Sequence, residues 1–172
     1  MARTWKKSCN DICKPLSQIP RCIHEIKISA HHGGHEGRKR RKMRNKNYKY
    51  YQPNDKDTKD KYGDCVIRAL TKVLDRDWIT VFDELLPYAK ELQCMPNERR
   101  CYEEYLFDNG FAYQGVSNRK GSKRPTVESF SKDHKQGSYF VNVANHVVAI
   151  SDGSYYDTWD SGDCCLYGYY YK

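Results

Sequence analysis

Three residue types that together can break amide bonds recur along this chain in a fixed order. Cys65 opens an apolar helical stripe in Gly63-Asp64-Cys65, His146 stands at the mouth of an apolar strand, and Asp157 follows shortly after a turn. A thiol at a helix N-terminus lies among unsatisfied N–H groups that favour its thiolate. A carboxylate bonded to one imidazole nitrogen keeps that nitrogen protonated and frees the other to act as a base. The pattern makes Cys65 a candidate nucleophile, His146 a candidate base and Asp157 the group that orients it. Trp159, two residues on, is placed to shield the His–Asp bond from water.

For these groups to meet, the elements carrying them must have a definite register. Asp152-Gly153 is a strong two-residue hairpin signal, because a type I′ turn needs positive φ at both central residues. Counting outward pairs Ser151 with Ser154, Val148 with Asp157 and His146 with Trp159. Alternation along the strand then puts His146, Val148, Tyr155, Asp157 and Trp159 on one face, with Asp157 diagonal to His146 and Asp160 pointing away.

Upstream, Val66, Ile67, Ala69, Leu70, Val73 and Leu74 recur at helical spacing after Asp64, the expected N-cap. A second helix is expected with Asp77 as cap, an inner stripe of Trp78, Val81, Phe82, Leu85, Ala89 and Leu92, and a kink at Pro87. A third runs from about Asn97 to Asn109 and stops at Gly110. The period then becomes that of strands: Phe111–Val116, a short capped helix in "TVESFSKDH", Ser138–Val143, the hairpin, and the C-terminal "CLYGYYY". Helices first and an antiparallel sheet second is the order of an α+β domain.

"GDCVIRA", "NHVVAI" and "YYDTWDSG" resemble the Cys, Asn-His-Ala-Val and Asn-Ser-Trp-Gly segments of papain-like cysteine peptidases, in their compact bacterial and phage versions. The resemblance covers about residues 60–170. It implies a papain-like α+β domain whose first helix carries the cysteine, and hydrolysis of a peptide or related amide through a Cys65-His146-Asp157 triad and a thioester, with no cofactor. Family members carry an oxyanion-binding Gln six residues before the Cys, where this chain has Lys59. Gln52 and Asn54 are the candidate substitutes, beside the backbone N–H of Cys65. Transglutaminase-like folds share the order Cys, His, Asp, but usually with a shorter interval than the 81 residues from Cys65 to His146.

Charge divides the chain. Residues 1–50 hold 14 Lys/Arg against three acids, a net of +11, and residues 51–172 hold 16 against 19, a net of −3. The reading is a basic, largely irregular arm over residues 1–54 and a catalytic domain over 55–172. Arg38, Lys39, Arg40, Arg41, Lys42 and Arg44 are candidates for phosphate neutralisation, with Tyr48, Tyr50 and Tyr51 available for stacking. Residues 38–49 thus form a candidate contact for nucleic acid or an acidic partner. The rival functional reading follows from that arm: a non-enzymatic nucleic-acid-binding or phage-particle protein with an inactive papain-like domain.

Cys9, Cys13, Cys22 and His24 have the composition of a four-ligand zinc site, although their spacing matches no known finger. Cys94, Cys101, Cys164 and Cys165 have no histidine at ligand spacing and read as core or surface thiols. With no apolar run of about 18 residues and no secretory h-region, a cytoplasmic or virion-associated protein that does not enter membranes is expected.

Overall fold

The computed structural model describes residues 45–57, 63–117 and 123–172. Their elements are β1 (Tyr48–Tyr50), α1 (Cys65–Leu74), α2 (Trp78–Leu92), α3 (Arg99–Asp108), β2 (Ala112–Gly115), α4 (Val127–Asp133), β3 (Ser138–Val143), β4 (His146–Ser151), β5 (Ser154–Asp157) and β6 (Gly168–Tyr171). This is an α+β architecture with one six-stranded sheet ordered β1-β5-β4-β3-β6-β2. No described helix is long and apolar enough to cross a membrane.

Local sequence accounts for most boundaries. The stripe Val66, Ile67, Ala69, Leu70 and Val73 is buried along α1, which ends where Asp75 turns left-handed at φ 53°. Asp77 caps α2 by accepting from the Thr80 N–H at 2.9 Å, and the helix continues through Pro87 to Leu92. Thr126 and Ser129 cap α4 reciprocally. Asp64 holds the N-cap position of α1 but makes no side-chain cap bond. The expectation that its carboxylate closes the first turn is corrected, because that carboxylate is drawn to Arg68.

The sheet is covered on both faces. Phe140, Val147, Ala149 and Tyr170 pack with α1, α2 and α3, whereas Val141, Val143, Val148, Ile150 and Tyr155 pack with Val127 and Phe130 of α4. The switch at every residue follows from the two-residue period of a strand. Burial on both sides also explains why β4 reads Val147-Val148-Ala149-Ile150 without polar alternation.

The hairpin has the expected register, Ser151 opposite Ser154 and Ala149 opposite Tyr156. Asp152 and Gly153 have φ of 48° and 75°. A Cβ on Gly153 would meet its neighbours only at ordinary contact, 3.5 Å from Lys135 Cα and Ser131 O. The cost of Gly153→Ala is therefore conformational, and the variant should lose about 1 kcal/mol of stability in urea unfolding.

One strand lies outside the sequence expectations. β1 pairs parallel with β5, Tyr48 opposite Tyr155 and Tyr50 opposite Asp157, so the sheet is mixed rather than wholly antiparallel. Residues before 55 thus contribute to the sheet and cover an edge that β5 would otherwise leave open. Tyr48 and Tyr51 set their rings against Tyr155 and Tyr156, at centroid distances of 5.7 and 6.0 Å, leaving Tyr50 as the exposed member of the trio. The basic candidates Arg38, Lys39, Arg40, Arg41, Lys42 and Arg44, and the zinc candidates Cys9, Cys13, Cys22 and His24, lie outside the described residues.

Candidate active site

Cys65 is the first residue of α1, so its backbone N–H has no acceptor within the helix, and its side chain is partly buried at the margin of the core that α1 packs into. His146 and Asp157 are terminal residues of β4 and β5, at the open end of the hairpin opposite its turn. Neither belongs to an apolar cluster of the sheet, and α1 packs against both strands. The start of the helix and the end of the hairpin therefore meet.

Where they meet, three groups are linked. His146 Nε2 donates to Asp157 Oδ2 at 2.8 Å, and Cys65 lies near enough to interact with the same ring. Burial alone disfavours a charged ring here. The hydrogen bonds to Asp157 and Cys65, reinforced by their charges, outweigh it and push the imidazole from 6.5 up to about 9. The histidine is consequently held as imidazolium at neutral pH. Trp159 lies tilted over it at a centroid distance of 5.5 Å, with nearly half of its own surface exposed. It covers the ring from the solvent side.

Asp157 is almost wholly buried, and both of its oxygens accept hydrogen bonds. Oδ2 takes the histidine, while Oδ1 accepts the Thr158 N–H at 2.8 Å and Arg68 NH2 at 3.4 Å. Arg68 projects from α1, one turn beyond Asp64, and its NH1 donates to Asp64 Oδ1 at 2.7 Å. Asp64 Oδ2 in turn accepts Trp78 Nε1 at 3.1 Å and Asn54 Nδ2 at 3.4 Å. The candidate triad is thus backed by a buried chain of alternating charge, Asp64–Arg68–Asp157.

The segment after β1 borders the same region. Tyr51 N–H donates to the Asp157 carbonyl at 2.9 Å, and the Tyr51 hydroxyl meets Thr71 Oγ1 of α1 at 3.1 Å. The Asn54 N–H holds the Gln52 side-chain oxygen at 3.1 Å, whereas Gln52 Nε2 is buried with no hydrogen-bond partner. The two oxyanion candidates now separate. Asn54 donates one amide N–H to Asp64, while Gln52 has no hydrogen-bond partner for its amide nitrogen. A buried amide left without an acceptor is costly.

Sequence reasoning did not pick out Arg68. Its signal was present: an arginine in a stripe otherwise made of valine, isoleucine, alanine and leucine, one turn from an aspartate, has to be paired if buried. Asp160, expected to point away, binds Asn45 and the Tyr155 hydroxyl instead of the histidine. Cys94, Cys101, Cys164 and Cys165 carry free thiols; Cys101 is buried and Cys165 exposed. Among the described residues, no group of three or more His, Cys, Asp or Glu side chains could hold a metal ion.

Comparison with protein-family models, with curated proteins and with solved structures finds no match to this chain.

Proposed function

We propose that the domain is a papain-like thiol hydrolase that cleaves a peptide or related amide bond. The observation that carries this reading is His146 bonded at once to Asp157 and to Cys65. The element order, a cysteine-bearing helix followed by a hairpin that supplies histidine and aspartate, supports the papain-like assignment.

In the proposed reaction the Cys65 sulfur attacks the substrate carbonyl carbon, and the carbonyl electrons move onto oxygen. The Cys65 N–H and Gln52 Nε2 donate to that oxyanion. As the tetrahedral intermediate collapses, the amine leaves with the proton of the His146 imidazolium, and the acyl group remains on sulfur as a thioester. The now neutral imidazole takes a proton from water, hydroxide adds to the thioester, and the acid departs. The sulfur is released to attack again, and the ring once more carries the proton it gives to the leaving amine. Asp157 holds the ring in one orientation throughout.

An epoxysuccinyl peptide probe and a panel of fluorogenic peptide amides test the reading. A covalent adduct at Cys65 and amide cleavage that disappears in Cys65→Ala are expected. Folded protein that gains no adduct and cleaves no amide would overturn it.

Gln52→Ala separates binding of the oxyanion from activation of the thiol. Turnover should fall about 100-fold, while the rate of Cys65 alkylation by iodoacetamide, which develops no oxyanion, should stay within about twofold. Both can be read on the same protein sample.

A further inference from the structure

Behind the histidine–aspartate pair lies a charge arrangement that catalysis by three residues does not require. Asp64, Arg68 and Asp157 are each about 95% buried or more. Burying one guanidinium between two carboxylates carries a large desolvation cost, and an apolar trio of similar volume is often as stable or more so. Overall stability is therefore a weak reason for these charges. Their geometry suggests a better one.

Arg68 uses two different nitrogens, NH1 toward Asp64 at 2.7 Å and NH2 toward Asp157 at 3.4 Å. Asp64 is fixed from its other side by the Trp78 indole and by Asn54. The guanidinium is in this way anchored on α1, the helix that bears Cys65, and its far edge restrains Asp157 Oδ1 on β5. With Oδ1 held by Arg68 and Thr158, Oδ2 is left for His146. The same contact answers the charge of Asp64, which directly precedes the nucleophile.

We infer that Arg68 is a positioning residue: it couples α1 to the end of β5, fixes the Asp157 carboxylate against His146, and neutralises Asp64 beside Cys65. This rests on the thiol-hydrolase reading of Cys65, His146 and Asp157. Lysine cannot replace it, because a single ammonium does not offer the planar fork that spans two carboxylates.

The test uses the full chain, with Arg68→Lys and with Asp64→Asn/Arg68→Met, which removes one charge of each sign. His146 is bordered by Asp157 from β5 and Cys65 from α1, with Arg68 and Asp64 behind them, so its carbon-13 titration reports whether Asp157 is still held. In Arg68→Lys, which keeps the charge and loses the fork, the ring should titrate at least about one unit lower than in the parent protein, and in both variants Cys65 should be alkylated about ten- to hundredfold more slowly at pH 7. Thermal unfolding of each variant shows that it is folded at the assay temperature. If Arg68→Lys melts too low, the charge-balanced double variant decides. A folded variant whose His146 titration and Cys65 alkylation match the parent would overturn the role of Arg68 and leave the triad intact. A parent protein whose Cys65 reacts no faster than Cys165, with or without His146→Ala, would overturn the triad and the Arg68 role together.

Discussion

Cys65→Ala is expected to abolish amide cleavage, at least about 10⁴-fold below the parent, while leaving the domain folded. The two effects separate because the sulfur does little for the core. It is partly buried at the margin of the core, whereas most of the packing of that helix comes from Val66, Ile67, Ala69, Leu70 and Val73. Unfolding free energy in urea should change by no more than about 1 kcal/mol, as for the loss of one partly buried sulfur at the edge of the core. Cys65→Ser should be nearly as inactive as the alanine variant, since a hydroxyl at this position would not ionise at neutral pH as a thiol can. Cleavage rates for both variants, set beside their urea curves, distinguish loss of the nucleophile from loss of the fold.

Asp157 substitutions should damage stability and activity together. In Asp157→Ala, His146 and Arg68 both lose a buried anionic partner, and removing one member of a buried ion pair typically costs about 3–5 kcal/mol. Asp157→Asn is the more informative change. The carboxylate accepts on both oxygens, from His146 on one and from Thr158 and Arg68 on the other. A carboxamide has one acceptor oxygen, so its NH2 either meets the guanidinium as donor against donor or faces Nε2 and drives the imidazole into the tautomer with its proton on Nδ1. A loss of about 1–3 kcal/mol follows from the unsatisfied groups, and cleavage should fall by about 100-fold.

The pH dependence has a definite sign. His146 is raised in the folded state to about 9 from 6.5. Its contribution to stability is thus fully present below about 6.5 and is lost as pH climbs through about 9, amounting to about 3 kcal/mol across that window. Urea unfolding of the parent should weaken over this range by more than that of His146→Gln. Asp157→Asn should narrow the window by lowering the folded value. Cleavage should decline on the same alkaline limb, because departure of the amine needs the imidazolium proton.

Periodicity and turn chemistry made the hairpin and helices legible. Asp152-Gly153 admits one tight turn, and counting from it gives the observed pairs as far as Ala149 and Tyr156; beyond them strict alternation fails, because Asp157 meets Arg68 of α1 although Val148 and Tyr155 pack with α4. The burial of α1 was equally visible in the spacing of Val66, Leu70 and Val73. β1 was not, since Tyr48-Lys49-Tyr50 is three residues long, has no apolar alternation, and takes a parallel partner more than 100 residues away. Nothing local marks such a strand. The placement of Gln52 was hidden for the same reason: its free amide acquires meaning only when β1 has docked and carried the segment past Asp157.

Arg68 and Asp64 show a different limit. Their spacing of four residues announced a helical pair, and the apolar neighbours announced burial. What the spacing could not announce is the third member, Asp157, which arrives from the end of a strand 89 residues later. An N-cap role for Asp64 was the economical local reading. Tertiary structure supplied a stronger partner than the helix N–H groups, and the carboxylate turned to it.

The central claim is that Cys65 is activated by His146, and the relative alkylation of Cys65 and Cys165 at pH 6 tests it most directly. At that pH an ordinary thiol is less than about 1% thiolate, so the exposed Cys165 provides an internal reference within the same folded chain. Peptide mass spectrometry after brief iodoacetamide treatment should show Cys65 modified at least about 100-fold faster than Cys165, with the advantage lost in His146→Ala. Equal rates at the two cysteines, unchanged by His146→Ala, would contradict the account.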